Sequence, residues 1–239
     1  MNIDLSHNRD KIEIEAKFIC PDGLDWDVFL NSVKTLGFPC VKEKPYLQMD
    51  VYFDTTDYTL LYSDAALRIR QRGKNYVGSC KLSKNQQGAI FEHKEHEWIL
   101  SLDEIKLWHE EKKLTIPPSI IDALNLHGQA LRKVLVAETL RYTATIHGNE
   151  GFKVELSFDE VTFRGHKGKK RYREIEAELI NGQFEQLKQV TDSLQNHLKL
   201  QSAIDSKYKK GMMLVGKHAW ASNFARKLCD NGGMTQKFF

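Results

Sequence analysis

The sequence contains no run approaching the roughly 20 consecutive apolar residues of a membrane span. Its opening, MNIDLSHNRDK, has no apolar stretch of signal-peptide length. The four cysteines, at 20, 40, 80 and 229, form no C-x-x-C pair, and their wide spacing suits reduced thiols better than a disulfide framework or a zinc site. Together these absences predict a soluble cytoplasmic protein with no membrane partner. Charge of one sign is scarce too: 35 basic against 32 acidic residues leave a net charge of +3, so the overall balance calls for no nucleic acid and no anionic surface. There is no G-x-x-x-x-G-K-[ST] loop and no zinc motif, which removes the commonest phosphate chemistries. Internal repeats, low-complexity tracts and linkers are absent as well. One domain over residues 1–215 is expected, followed by a C-terminal helix or flexible tail over 216–239 that contains Gly232-Gly233.

What the chain does contain is alternation. Eight segments have β-branched and aromatic content with period two: 11–20, 47–54, 65–72, 75–82, 90–99, 133–146, 151–163 and 171–180. Short junctions such as Arg72-Gly73-Lys74-Asn75 and Arg164-Gly165-His166-Lys167-Gly168 carry turn chemistry and predict antiparallel hairpins. Helical spacing occurs over 24–38, 101–111, 119–126 and 182–199, the second opening on a Ser101/Glu104 capping pattern. The expected fold is α+β, a closed eight-stranded antiparallel β-barrel with helices packed outside it. Trp26, Phe29 and Trp108 fall on the apolar faces of those helices and read as core.

The polar face of the strands carries the functional information. In IEIEAKF, Glu13, Glu15 and Lys17 oppose Ile12, Ile14, Ala16 and Phe18, which for a single strand describes an ordinary half-exposed sheet. The same alternation recurs at Arg68/Arg70/Arg72, Ser79/Lys81, His93/Glu95/Glu97, Thr139/Arg141/Thr143, Glu155/Ser157/Asp159 and Glu174/Glu176/Glu178. Runs of one sign repel at alternate positions of an exposed strand, so partners of opposite charge are expected. Helices with apolar stripes need the apolar strand face to cover, which turns the charged face inward. A charged interior needs its charges paired. A linear polyphosphate suits the basic rows, and Mg²⁺ or Mn²⁺, bound by carboxylate oxygen, suits the acidic ones.

These residues resemble the CYTH superfamily, the triphosphate tunnel metalloenzymes. The resemblance rests on Glu13-x-Glu15-x-Lys17, YFDT (52–55), LRIR (67–70), Ser79-x-Lys81, Arg141, Glu155-x-x-x-Asp159, Glu174-x-Glu176-x-Glu178 and SKY (206–208), which span nearly the whole chain. It implies an eight-stranded β-tunnel that binds triphosphate with one or two divalent metal ions, Mg²⁺ or Mn²⁺. It further implies that Glu13, Glu15 and Glu176 are metal ligands with Glu178, Glu155 and Asp159 nearby. Lys17, Arg68, Arg70, Lys81, Arg141 and Lys207 match its triphosphate ligands, and Glu176, Glu178, Lys17 and Arg141 the groups that carry the chemistry. His93 stands where a basic residue is expected, with Lys94 beside it, and neither these two nor Arg72 receives a role.

The motif order most resembles the inorganic triphosphatases, which cleave tripolyphosphate to pyrophosphate and phosphate. Nucleoside or thiamine triphosphate hydrolysis is the first alternative. ATP cyclisation ranks lower, because His7-Asn8 stands where cyclising members often have His-Phe. A non-catalytic polyphosphate-binding module ranks last, since carboxylates without metal would repel the anion. The only partner expected is a small anionic triphosphate, and the oligomeric state is left open between monomer and homodimer. The basic run from Arg164 to Arg171 reads as a solvated hairpin tip.

Overall fold

The computed structural model describes residues 8–111 and 114–216, so the tail expected from 216 onward lies outside the described residues except for Gly216. Ten strands are present among them: β1 (Asn8–Ile19), β2 (Cys40–Lys42), β3 (Tyr46–Thr55), β4 (Ala65–Arg72), β5 (Asn75–Gln87), β6 (Ile90–Ile99), β7 (Leu131–His147), β8 (Lys153–Gly165), β9 (Gly168–Asn181) and β10 (Gln201–Ser202). Six α-helices accompany them: α1 (Trp26–Thr35), α2 (Thr59–Tyr62), α3 (Leu102–Glu111), α4 (Pro118–Ala123), α5 (Phe184–Leu198) and α6 (Lys207–Val215).

Eight strands close into an antiparallel barrel in the order β1-β6-β5-β4-β3-β7-β8-β9, with β9 returning to β1. Closure depends on β1 serving two neighbours: Glu13 is registered with His93 of β6, whereas Lys17 is registered with Glu176 of β9. The short strands β2 and β10 pair outside this circuit, with β7 and β1. The hairpin expected at residues 72–75 forms as a two-residue turn in which Gly73 has φ +60°, a conformation that favours glycine. The eight expected strands are all present. β5 runs on to Gln87 because its pairing with β6 continues past a bulge between Ser83 and Asn85.

The apolar strand faces point outward onto helices. One core cluster packs Phe29 and Val33 of α1 and Leu187, Val190 and Leu194 of α5 on Phe18, Leu156, Ile175 and Ala177, so Trp26 and Phe29 are core residues as expected. α1 is fixed at its start by Asp25, whose side chain accepts the Val28 N–H at 2.9 Å. A second cluster places α3 and α4, with Trp108, over Phe53, Leu67, Ile69 and Trp98.

A third cluster was not legible as such. At one end of the barrel the inward rows of β7 and β8 change from polar to apolar, through Ala137 and Leu135 on one and Val161 and Phe163 on the other. α6 closes over them with Tyr208, Met212 and Val215. A Cβ on Gly211 would lie 2.4 Å from Leu135 and 2.8 Å from Phe163, so glycine is what lets this helix approach. Tyr208 stacks on Tyr52 with ring centroids 5.2 Å apart and donates its hydroxyl to Asp54 at 2.7 Å. The barrel is therefore largely capped at the end bearing the β8–β9 hairpin, where the basic tip Arg164–Arg171 lies.

Candidate active site: a charged barrel lumen

The inward rows enclose a cavity of about 230 Å³. Every site residue selected from the sequence lines it except Asp159, which is fully buried behind Arg141. His93 also faces the lumen, stacked on Phe91 and with Nε2 3.3 Å from Glu15. Lys94 points outward and is paired only distantly with Asp10, at 4.0 Å. Arg72 lies at the mouth with its guanidinium 3.4 Å from the Tyr46 ring centroid.

Charge pairing inside is dense. Lys17 Nζ sits 3.0 Å from Glu15 and 3.6 Å from Glu176, while Lys81 bridges Glu13 and Glu15. Arg141 forms a fork onto Asp159, donating at 2.7 and 2.6 Å, and reaches Glu176 at 2.5 Å. Lys207 enters from α6, 2.7 Å from both Asp159 and Glu174. Arg68 donates to Ser79 at 2.9 Å and to Glu95 at 3.4 Å. Arg70 donates to both oxygens of Asp50, at 2.7 and 3.0 Å.

Asp50, Lys11, Glu95 and Glu174 are lumen groups to which sequence reasoning gave no role. Asp50 and Lys11 could have been found by parity, since Asp50 alternates with Gln48 and Tyr52 and Lys11 with Glu13. Lys11 Nζ lies 3.2 Å from Glu178 and 3.4 Å from Glu95.

The carboxylates fall into two groups. Burial opposes the charge on Glu15 and Glu176, but the cations around them prevail: Lys17 and Lys81 hold Glu15 low, and Lys207, Arg141 and Lys17 hold Glu176 low. Glu178 has too little compensation. Burial, with Glu13 beside it, pushes its carboxyl up to about 7 against the pull of Lys11. Burial likewise raises Glu155 and Glu174. Carboxylates such as Glu178 and Glu155, which line the cavity and are incompletely compensated by the cations around them, offer oxygen ligands that fit a hard divalent cation. Deeper in the wall, Asp159, Glu174 and Glu176 bring one carboxylate oxygen each within 4.8 Å of one another.

A family model for the CYTH domain matches residues 11–211. The chain belongs to the CYTH family. Its CYTH fold is shared with a Bacillus halodurans protein described as a candidate adenylate cyclase, at TM-score 0.59 and 21% identity, covering 84% of this chain and 97% of that one. A Hippeastrum protein described as a candidate adenylyl cyclase with a dominant triphosphatase activity matches at TM-score 0.57 and 19% identity, covering 86% and 98%. No curated protein matches the CYTH chain by sequence comparison. Among the described residues, no helix is long and apolar enough to cross a membrane.

Proposed function

We propose that this CYTH protein hydrolyses the terminal phosphoanhydride bond of a triphosphate, inorganic triphosphate foremost, with Mg²⁺ or Mn²⁺. The observation that carries this reading is the convergence of Lys17, Arg68, Lys81, Arg141 and Lys207 on one small cavity that Glu13, Glu15, Glu155, Glu176 and Glu178 also line. The cations match the oxygens of a short linear polyphosphate. Glu13, Glu15 and Glu176 would hold the metal, which supplies charge neutralisation across phosphate oxygens and a more acidic water.

The chain's own groups divide the remaining work. Asp159 and Asp50 fix the planes of Arg141 and Arg70, so these forks meet the anion already oriented. Lys17 and Lys81, as point charges, neutralise oxygens that gain charge as the P–O bond breaks. Glu178 is the carboxylate suited to take a proton, because its affinity lies near neutrality whereas Glu176 is held ionised by three cations. Water adds to the terminal phosphorus, its proton passes to the Glu178 carboxylate, and pyrophosphate departs with orthophosphate as the second product. The described cysteines are free, in keeping with a reducing compartment such as the cytoplasm. The partner in this reading is the small anionic substrate alone.

Phosphate release measured over inorganic triphosphate, ATP, GTP and thiamine triphosphate, each with Mg²⁺ or Mn²⁺, tests the reading. Inorganic triphosphate should have the highest kcat/KM. Turnover confined to an organic triphosphate would move the substrate, and binding without turnover of any would reduce the protein to a polyphosphate-binding module.

A further inference from the structure

Two of the motifs picked out in the sequence, YFDT (52–55) and SKY (206–208), contain residues that the proposed chemistry leaves unused: Tyr52, Asp54 and Tyr208. They meet in the structure. Asp54 is fully buried, and its oxygens accept the backbone N–H groups of Thr55, Leu60 and Leu61 at 2.7, 2.9 and 3.0 Å and the Tyr208 hydroxyl at 2.7 Å. Among the described residues its other donors all belong to the corner between β3 and α2, so Tyr208 is the one that arrives from elsewhere, 154 residues along the chain. Burial and the Asp54 charge push the Tyr208 phenol far above its ordinary range, so it remains a proton donor. A phenol bonded to a buried carboxylate is charge-assisted and directional, and stacking on Tyr52 fixes the plane of the ring.

This bond holds the first turn of α6. Ser206 caps the helix by accepting the Lys209 N–H at 3.2 Å, Lys207 is its first residue and Tyr208 its second. Neighbouring residues stand about 100° apart around a helix. The turn that sends the Tyr208 hydroxyl to Asp54 therefore sends Lys207 into the lumen, where its ammonium lies between Asp159 and Glu174 and 3.8 Å from Glu176. Asp159 also holds the Arg141 fork, so two cations of the site share one carboxylate and a shifted helix start would disturb both. We propose that Tyr208, anchored on Asp54, is a positioning residue that sets the start of α6 so that Lys207 meets the phosphate oxygens of the substrate from a fixed place beside Arg141. The inference rests on the triphosphatase reading. An arriving anion draws Lys207 from its carboxylates, and a helix start held by packing alone would follow, diverting binding energy into moving the helix.

Tyr208→Phe keeps the ring and removes the hydroxyl. At a temperature where circular dichroism shows every variant folded, its KM for inorganic triphosphate should rise at least about fivefold with kcat within about threefold of wild type. Val190→Ala, in the core beneath α5 and remote from α6, loses stability alone and should leave both constants unchanged. In Lys207→Met, which lacks the ammonium, adding Tyr208→Phe should change KM by less than about twofold. A KM for Tyr208→Phe no higher than that of Val190→Ala would overturn the proposal. So would the full rise on top of Lys207→Met, which would make the hydroxyl independent of that lysine; if Lys207→Met does not fold, the two single variants decide. Absence of turnover of any triphosphate by the wild type would instead refute the functional reading, and the Tm values then carry the test: losses from Tyr208→Phe and Lys207→Met should fall short of their sum when combined, whereas strictly additive losses would overturn the coupling.

Discussion

Asp50→Asn removes one charge from the lumen wall while leaving its volume nearly unchanged. Asp50 is fully buried, both its oxygens accept from Arg70, and Arg68 approaches to 3.9 Å. The amide keeps one acceptor but leaves two guanidinium groups facing each other without their shared counter-charge. Breaking a buried pair costs about 3–5 kcal/mol, and the retained acceptor places this variant near the lower figure. For a chain of this size each kcal/mol shifts Tm by about 2–4 °C, so a fall of about 6–12 °C is expected. Thermal unfolding followed by circular dichroism reads it directly. Burial opposes the Asp50 charge, but Arg70 and Arg68 depress its folded pKa far below the unfolded value of about 3.9. The stabilisation is therefore complete above about pH 4 and is lost as pH falls further, so the gap between wild type and variant should narrow in acid. Tripolyphosphate, by supplying negative charge beside the arginines, should raise the variant's Tm more than the wild type's. An unchanged Tm at pH 7 would mean that these arginines do not sit in a low-dielectric wall and would refute the electrostatic account of the lumen.

Glu15→Gln should lower kcat and raise the metal concentration needed, whereas Lys17→Ala should chiefly raise KM for triphosphate; Lys94→Ala, on the outside, should stay within about twofold. Steady-state kinetics separate these signatures, and wild-type behaviour in both lumen variants would contradict the inward orientation. EDTA should abolish phosphate release and Mg²⁺ or Mn²⁺ restore it; full turnover in chelator would sink the metal assignment. With its folded pKa raised to about 7, Glu178 is protonated and inactive as a base below that pH, so the rate should climb through neutrality towards an alkaline optimum. Glu178→Gln should flatten that limb of the pH profile, and a wild-type maximum below pH 6 would exclude the carboxylate from this role.

The barrel was legible because period two is unambiguous when charge marks one face. From Glu13 to Lys17 and from Glu174 to Glu178 every second residue is ionisable, and each such residue faces inward. Helices α1 and α5 were legible through their apolar stripes. α6 was missed because its partners are the inward Leu135, Ala137, Val161 and Phe163, an inversion that alternation alone reads as one more apolar stretch. Asp50 escaped because it stands alone between Gln48 and Tyr52, without the repeated charge that flagged the other rows. The pairing of Arg141 with Asp159 is a cross-strand register, and register is set by closure of the whole sheet rather than by any local pattern.

That β1 must meet both β6 and β9 has a consequence for the order of assembly. Lys11 and Glu178 are separated by 167 residues, yet they share one wall. During synthesis, β1 can pair with β6 as soon as residue 99 is available, but its second half stays an open edge until β9 emerges. Throughout that interval Glu15, Lys17 and their neighbours remain hydrated, and desolvation comes only when the last seam zips. Charge in the wall thus acts late, as a check on register: a strand slipped by one residue would bring Phe18 and Ala16 to the lumen and strand the carboxylates against the helices. Fold formation in this chain is expected to be slow for its size and limited by that final seam, since loop-closure entropy must be overcome before the longest-range pairs form.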